Sequence, residues 1–243
     1  MNKENSTILE NKMLAKGVYR MTLETEKNAF TAPGQFAMLE VPQQYLRRPI
    51  SVSTYDSTCY SLIYKVVGTG TTKLSRMEAG DKVSSLTGLG NGYDLDAIPD
   101  GSAIIGGGIG IPPMLGLARS LKSQGKGFRV ILGFNTAEEM FLLEDFKEIT
   151  ADITVMTADG SFGHKGFVTD AFDQVDYACA CGPLKMLEAL APKVKAGQFS
   201  LEARMGCGFG ACMGCSIQTA EGYQRVCKEG PVFNKEVLLW ETL

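Results

Sequence analysis

Four of the seven cysteines fall within 21 positions, as Cys207-x4-Cys212-x2-Cys215 and then, eleven residues on, Cys227. Thiolates at this spacing match the plant-type ligand set of a 2Fe-2S cluster, and the chain around them has to wrap a small inorganic core rather than build a helix or a long strand. Gly206, Gly208, Gly210 and Gly214 stand among the cysteines. Glycine reaches positive φ freely and lets backbone N–H groups approach the sulfurs, so all four are expected to serve that wrapping. Ser216 to Thr219 and Tyr223 to Val226 flank Ala220-Glu221-Gly222. This reads as a hairpin with a three-residue loop and a left-handed Gly222, folding about Glu221 so that Cys215 faces Cys227. Arg204, Arg225 and Lys228 could raise the potential of a cluster of charge about −2 if they lie close, and solvated surface charge is the alternative. A four-cysteine zinc site, and with it a zinc-stapled interaction module, stays open as a rival.

Composition narrows the class further. Lys and Arg number 24 against 27 Asp and Glu, a net charge of −3, which gives no basic footprint for nucleic acid. The polar stretch Met1 to Ser6 resembles neither an export signal nor an anchor, and a cytoplasmic protein is expected. The most apolar window, Ser102 to Ala118, is broken by Gly106, Gly107, Gly108, Gly110, Pro112 and Pro113, so no membrane-spanning helix is expected. An odd count of cysteines in a reducing compartment points to metal or redox chemistry over disulfides.

Two grammars precede the cysteines. Over residues 1–98, Tyr19, Met21 and Leu23 alternate with polar neighbours, and Phe36 to Val41, Pro49 to Thr54 and Tyr60 to Val67 behave likewise. Separated by turns at Ala32-Pro33-Gly34 and Ala79-Gly80-Asp81 and closed by Gly88 to Gly92, these runs predict an antiparallel β-barrel. Over 99–200, strands at Ser102 to Ile105, Phe128 to Phe134, Asp152 to Thr157 and Tyr177 to Cys181 alternate with helices. The helices carry Met114, Leu117, Ala118 and Leu121, then Leu184, Leu187, Leu190 and Val194. That order predicts an α/β parallel-sheet domain. The third segment, 201–243, holds the cysteine site.

Candidate ligand positions lie at the turns. Gly106-Gly107-Gly108-Ile109-Gly110 joins a strand to a helix, where free N–H groups favour a pyrophosphate. Pro113 replaces the third glycine of the dinucleotide fingerprint, so a plain tight turn competes. Glu138 or Glu139 could meet a ribose hydroxyl or simply start a solvated helix. Arg48-Pro49-Ile50-Ser51 pairs a fork-shaped cation with a hydroxyl, although strict alternation sends Arg48 and Ser51 to opposite faces. Gly68-Thr69-Gly70-Thr71-Thr72, before a short helix expected at Lys73 to Met77, suits a second phosphate or a capped turn. The single histidine, His164, falls in a loop, and no catalytic triad or dyad is assigned.

These residues resemble the flavin-dependent reductases of the ferredoxin-reductase type and, among them, the electron-transfer subunits of dihydroorotate dehydrogenase B. The resemblance covers essentially the whole chain. It rests on Arg48 to Ser51, Ile63-Tyr64-Lys65, Gly70-Thr71, Gly106 to Pro113, Cys181-Gly182-Pro183, and Glu202 through Cys227 to Phe233. It implies that Arg48, Pro49, Ile50, Ser51, Ile63, Tyr64, Lys65, Gly70 and Thr71 hold FAD, with Arg48 on the pyrophosphate and Ser51 near the flavin's reactive edge. It further implies NAD+ at Gly106, Gly107, Gly108 and Gly110 with Cys181 beside the nicotinamide, and the cluster on Cys207, Cys212, Cys215 and Cys227. The implied partner is an FMN-containing catalytic subunit in a heterotetramer of two copies each. There dihydroorotate is oxidised, and single electrons pass through the cluster and FAD to NAD+ in pyrimidine biosynthesis. A flavin subunit of a ferredoxin:NAD(P) oxidoreductase or sulfide dehydrogenase complex is the nearest alternative.

Overall fold

The polar amino-terminal stretch is the first half of a strand. In a computed structural model describing residues 1–243, β1 (Asn2–Ala15) runs beside β2 (Val18–Glu24) and β6 (Lys82–Leu89). With β3 (Phe36–Leu39), β4 (Arg48–Tyr55) and β5 (Cys59–Lys65) they close an antiparallel barrel in the order β1-β2-β5-β4-β3-β6. Alternation drives the closure, since Met21 and Leu23 of β2 and Tyr60 and Leu62 of β5 point inward and are buried. The glycine run expected to end the barrel is partly strand, because β6 continues through Gly88 to Leu89. α1 (Thr69–Leu74) begins at Thr69 rather than Lys73. The glycine and threonine residues therefore form the helix instead of preceding it, with the Thr71 hydroxyl accepting from the Val67 and Gly68 N–H groups.

The second sheet is mostly parallel. β7 (Ser102–Gly107), β8 (Phe128–Phe134), β9 (Ile153–Thr157), β10 (His164–Lys165), β11 (Val175–Cys181) and β12 (Val194–Ser200) alternate with α2 (Ile111–Ser123), α3 (Leu143–Lys147) and α4 (Leu184–Leu190). Val194, expected on the last helix, opens β12 instead, because Pro192 cannot continue an α-helix. The cysteine region adds a hairpin, β13 (Ser216–Thr219) and β14 (Gly222–Arg225), and then β15 (Val232–Asn234), which pairs antiparallel with β12. The sheet order is β10-β9-β8-β7-β11-β12-β15. A strand from 201–243 thus lies in the same sheet as the parallel strands.

α2 joins the two units. Its buried residues include Ile111, Pro112, Pro113, Met114, Leu115, Leu117, Ala118 and Leu121, more than the single apolar stripe of a surface helix. The reason is that it packs on the sheet with one face and on β4 of the barrel with the other. The Ser53 hydroxyl donates to the Pro112 carbonyl at 3.0 Å, and a Cβ at Gly116 would stand 2.6 Å from the Ser53 carbonyl oxygen. Only glycine permits that approach. Arg20 of β2 pairs with Asp145 of α3 at 3.1 Å across the same junction. No helix is long and apolar enough to cross a membrane.

Candidate functional site

The barrel, the sheet and the cysteine segment meet at a cleft of ≈ 380 Å³, within the usual size of a ligand pocket. Its barrel wall contains Arg48, Pro49, Ile50, Ser51, Ile63, Tyr64, Lys65 and Thr71, eight of the nine positions expected for a flavin. The ninth, Gly70, is buried behind it, where a Cβ would stand 2.4 Å from Arg48 Nε. That glycine leaves room for the guanidinium, which also donates to the Gln44 side chain at 3.1 Å and to the Leu46 carbonyl. The conflict with strand alternation resolves here. Arg48 opens β4 and turns over the strand end toward α1, so the cleft wraps the edge and receives residues from both faces.

The opposite wall had no signal of its own. Ile109 and Pro112 come from the glycine turn, and Leu201, Glu202, Ala203 and Met205 from the chain entering the cysteine loop. Met205 lines the cleft two residues before Cys207, so their Cα atoms are separated by at most about 7 Å. A second contact ties the same parts together. Gly208, at φ +80°, lies so close to β3 that a Cβ would meet Met38 Cγ at 2.6 Å, and Phe36 of the same strand lines the cleft.

The cysteines are arranged in two pairs. Cys207 Sγ accepts from the N–H groups of Ala211 and Cys212, at 3.2 and 3.4 Å, and Cys215 Sγ accepts from the Cys227 N–H at 3.4 Å. Burial opposes ionisation of Cys207, but the N–H groups of Cys212 and Phe209, the Cys212 thiol and the Ala211 N–H outweigh it and bring the thiol down to about 6. Burial, and then the neighbouring Cys215, push Cys227 up to about 12. Cys212 is exposed, whereas Cys215 and Cys227 are buried. A two-iron cluster takes two thiolates on each iron, and the two pairs, with N–H groups directed at the sulfurs of Cys207 and Cys215, supply them. The donor set fits the cluster.

Local geometry departs from expectation at three points. The hairpin loop has two residues, Ala220 and Glu221, because Thr219 pairs with Gly222, at φ +100°. The register therefore sets Cys215 against Val226, whose N–H donates to the Cys215 carbonyl, and Cys227 reaches Cys215 one residue later. Of the four loop glycines only Gly208 and Gly210 have positive φ; Gly206 instead leaves space beside Cys212 Sγ, 3.3 Å from where its Cβ would stand. Finally, Arg225 is close to the cysteine loop but bound to Glu229, Lys228 is exposed with its stem against Gly210 of that loop, and Arg204 is exposed.

At the nucleotide turn, Gly108 to Gly110 form a single 3-10 turn between β7 and α2. Pro112 and Pro113 sit in the first turn of α2, where they fit sterically but remove two of its N–H donors. Gly110 serves packing, since a Cβ there would lie 2.3 Å from the Cys181 carbonyl oxygen. Met186 lies across the turn, with Sδ 2.3 Å from a Cβ placed on Gly107 and Cε 2.4 Å from one placed on Gly182. Glu139 accepts from Asn135 at 2.9 Å and stands 3.8 Å from Lys65 of the cleft. Glu138 has no such partner, and His164 is exposed.

Cys181 ends β11 beside Gly106 and is 4% exposed. Burial, with the Glu202 charge adding to it, pushes its thiol up to about 12, and burial pushes Cys179 higher still. Burial thus holds the Cys181 thiol protonated at pH 8 and away from solvent, whereas the thiolate is the reactive form. Iodoacetamide applied to the native protein at pH 8 is therefore expected to leave both residues unmodified by peptide mass mapping. Alkylation of Cys181 at the rate of an exposed thiol would refute its burial.

Comparison with known proteins agrees with this layout. Residues 202–239 match the iron-sulfur cluster binding domain of dihydroorotate dehydrogenase B. The chain is 40% identical to a dihydroorotate dehydrogenase B (NAD(+)) electron transfer subunit from Geobacillus sp. (strain WCH70), covering 98% of this chain and 100% of the relative. It is 38% identical to the protein of the same description from Bacillus cereus (strain B4264), covering 96% and 97%. Among solved structures, an NADH-dependent reduced ferredoxin-NADP oxidoreductase superposes with a TM-score of 0.86 at 28% identity, over 97% of this chain and 90% of that one. Phthalate dioxygenase reductase shares the fold, with a TM-score of 0.69 at 17% identity over 90% and 87%. By full-length identity and the matched cysteine domain, the chain belongs to the electron transfer subunits of dihydroorotate dehydrogenase B (NAD+).

Proposed function

We propose that this subunit takes electrons from an FMN-bearing catalytic partner that oxidises dihydroorotate and delivers them to NAD+ in pyrimidine biosynthesis, within a cytoplasmic heterotetramer. Residues 1–98 hold FAD, 99–200 receive NAD+, and 201–243 carry a 2Fe-2S cluster. The observation that carries this reading is the shared cleft. Eight of the expected flavin positions line it, and its far wall runs directly into Cys207.

When bound, a 2Fe-2S centre accepts one electron at a time, and a flavin exchanges single electrons with such a centre and a hydride with a nicotinamide. The chain's own residues supply position and charge. Arg48 presents a planar fork to the FAD pyrophosphate, and Ser51 offers a hydroxyl on the cleft floor. Cys207, Cys212, Cys215 and Cys227 hold iron, with N–H groups aimed at the sulfurs of Cys207 and Cys215. The exposed Cys212 is flanked by Phe209 and Met213, 44% and 52% exposed, an apolar rim suited to docking the partner. NAD+ approaches from the Gly106 to Gly110 side, with Ile109 already in the cleft wall. No residue is needed as an acid or base toward dihydroorotate.

The test is a visible spectrum of anaerobically purified protein before and after dithionite, with electron paramagnetic resonance of the reduced sample. Flavin bands together with a reduced two-iron signal are expected, and a colourless preparation free of iron would sink the reading. The 28% likeness to the ferredoxin-NADP oxidoreductase favours that partner chemistry as a second reading. Co-purification with a dihydroorotate-oxidising FMN protein decides between them.

A further inference from the structure

Arg225 touches every part of the chain that carries a cysteine ligand. Its Nη1 donates to the Gly210 carbonyl at 2.7 Å, between Cys207 and Cys212, and contacts Met213 Sδ at 3.8 Å, between Cys212 and Cys215. In β14 it pairs with Ser216, the neighbour of Cys215. Its carbonyl accepts from the N–H groups of Lys228, Glu229 and Gly230, closing the turn that presents Cys227.

Glu229 fixes this side chain. One carboxylate oxygen accepts from the Arg225 backbone N–H at 2.8 Å and from Nε at 2.9 Å, and the other accepts from Nη2. A two-oxygen grip on a planar guanidinium fixes direction as well as distance. The pair is only partly exposed, at 22% for the Arg225 side chain and 31% for Glu229. Its net charge is zero, so the carboxylate offsets the cation standing beside the cysteine loop.

We infer that Arg225 is the positioning residue that ties the Cys207–Cys212 loop to the Cys215–Cys227 hairpin, and that Glu229 both aims it and masks its charge from the cluster. This rests on the cluster reading above. Reduction adds one negative charge to a set of four thiolates, and a nearby uncompensated cation stabilises the reduced form and raises the potential. The fork delivers the tie, so a lysine, with one point of attachment, cannot replace it.

The experiment compares full-length wild type, R225Q, R225K and E229Q, all purified anaerobically. Three quantities are measured: iron release to a ferrous chelator, FAD per chain, and the cluster midpoint potential by titration under electron paramagnetic resonance. R225Q is expected to lose iron several-fold faster than wild type at unchanged FAD content, and R225K to lose it faster than wild type as well. E229Q, which keeps one oxygen of the grip and loses the compensating charge, is expected to lose iron faster than wild type but more slowly than R225Q, and to titrate at a more positive potential. Iron release from R225Q or R225K at the wild-type rate overturns the tie, and an unshifted potential in E229Q overturns the masking. Wild-type protein without iron would instead overturn the cluster reading itself, which the other outcomes leave standing.

Discussion

Cys212→Ser is expected to lower dihydroorotate-dependent NAD+ reduction in the assembled complex by more than ~100-fold, the upper end of what losing a residue behind a metal ligand costs. FAD should stay bound. The two parts of this result have separate physical grounds. Cys212 is the exposed member of the set, and its own N–H and that of Ala211 are directed at Cys207 rather than at the flavin cleft. A serine oxygen is a harder and less readily ionised donor than a thiolate, so it weakens the grip on iron. The cleft keeps its walls, because Cys212 is absent from them and this part of the chain lines them only with Leu201 to Met205 before the first cysteine and Pro231 after the last. A direct assay separates the steps. NADH-driven reduction of an artificial acceptor, which needs flavin and nucleotide alone, should proceed at the wild-type rate while the complete reaction fails. Loss of FAD from the variant would mean that the cysteine loop props up the cleft, through Gly208 against Met38.

How far the sequence revealed this arrangement depended on whether each signal was local. Cysteine spacing is covalent information, and a ligand loop cannot hide it. β2 and β5 announced themselves because their inward residues are apolar. β6 did not, since two of its inward positions are Ser85 and Thr87, fully buried yet satisfied by Tyr60 and Glu4. β1 was masked in the same way, with Ser6 and Ile8 its only buried residues. In β12, Lys195, Gly197 and Gln198 interrupt the apolar run, although Gln198 is buried and bonded to the backbone of Asp94 and to the Tyr177 hydroxyl. A polar residue with a partner looks, in one dimension, like a polar residue in water. The far wall of the cleft was illegible for a different reason. Pro112 was visible only as the end of a glycine fingerprint, and Leu201 to Met205 only as an approach to the cysteines, until the fold set both against the barrel. The one-residue error in the hairpin register shows the limit of symmetry arguments. Loop length is decided by Gly222 and the Thr219 hydroxyl, which accepts from the Glu221 N–H and donates to the Gly222 carbonyl.

Arg48→Ala is expected to weaken FAD binding by about 1–3 kcal/mol, the scale of hydrogen bonds made by a charged group, or roughly 5- to 150-fold in Kd. The geometry favours a real effect because the guanidinium is already placed. It is held by Gln44 and the Leu46 carbonyl and backed by Gly70, so little side-chain freedom remains to be lost when the pyrophosphate arrives. The same contacts predict a graded series. Gly70→Ala sets a methyl 2.4 Å from Arg48 Nε and should weaken FAD in the same direction by displacing the cation without removing it. Arg48→Lys should fall between wild type and alanine, since an ammonium keeps the charge but loses the fork. Flavin occupancy after gel filtration and fluorescence titration of the apoprotein read all three variants. Full occupancy in Arg48→Ala would detach the pyrophosphate from this end of the cleft. A loss in Gly70→Ala alone would then move the phosphate contact onto the backbone of α1.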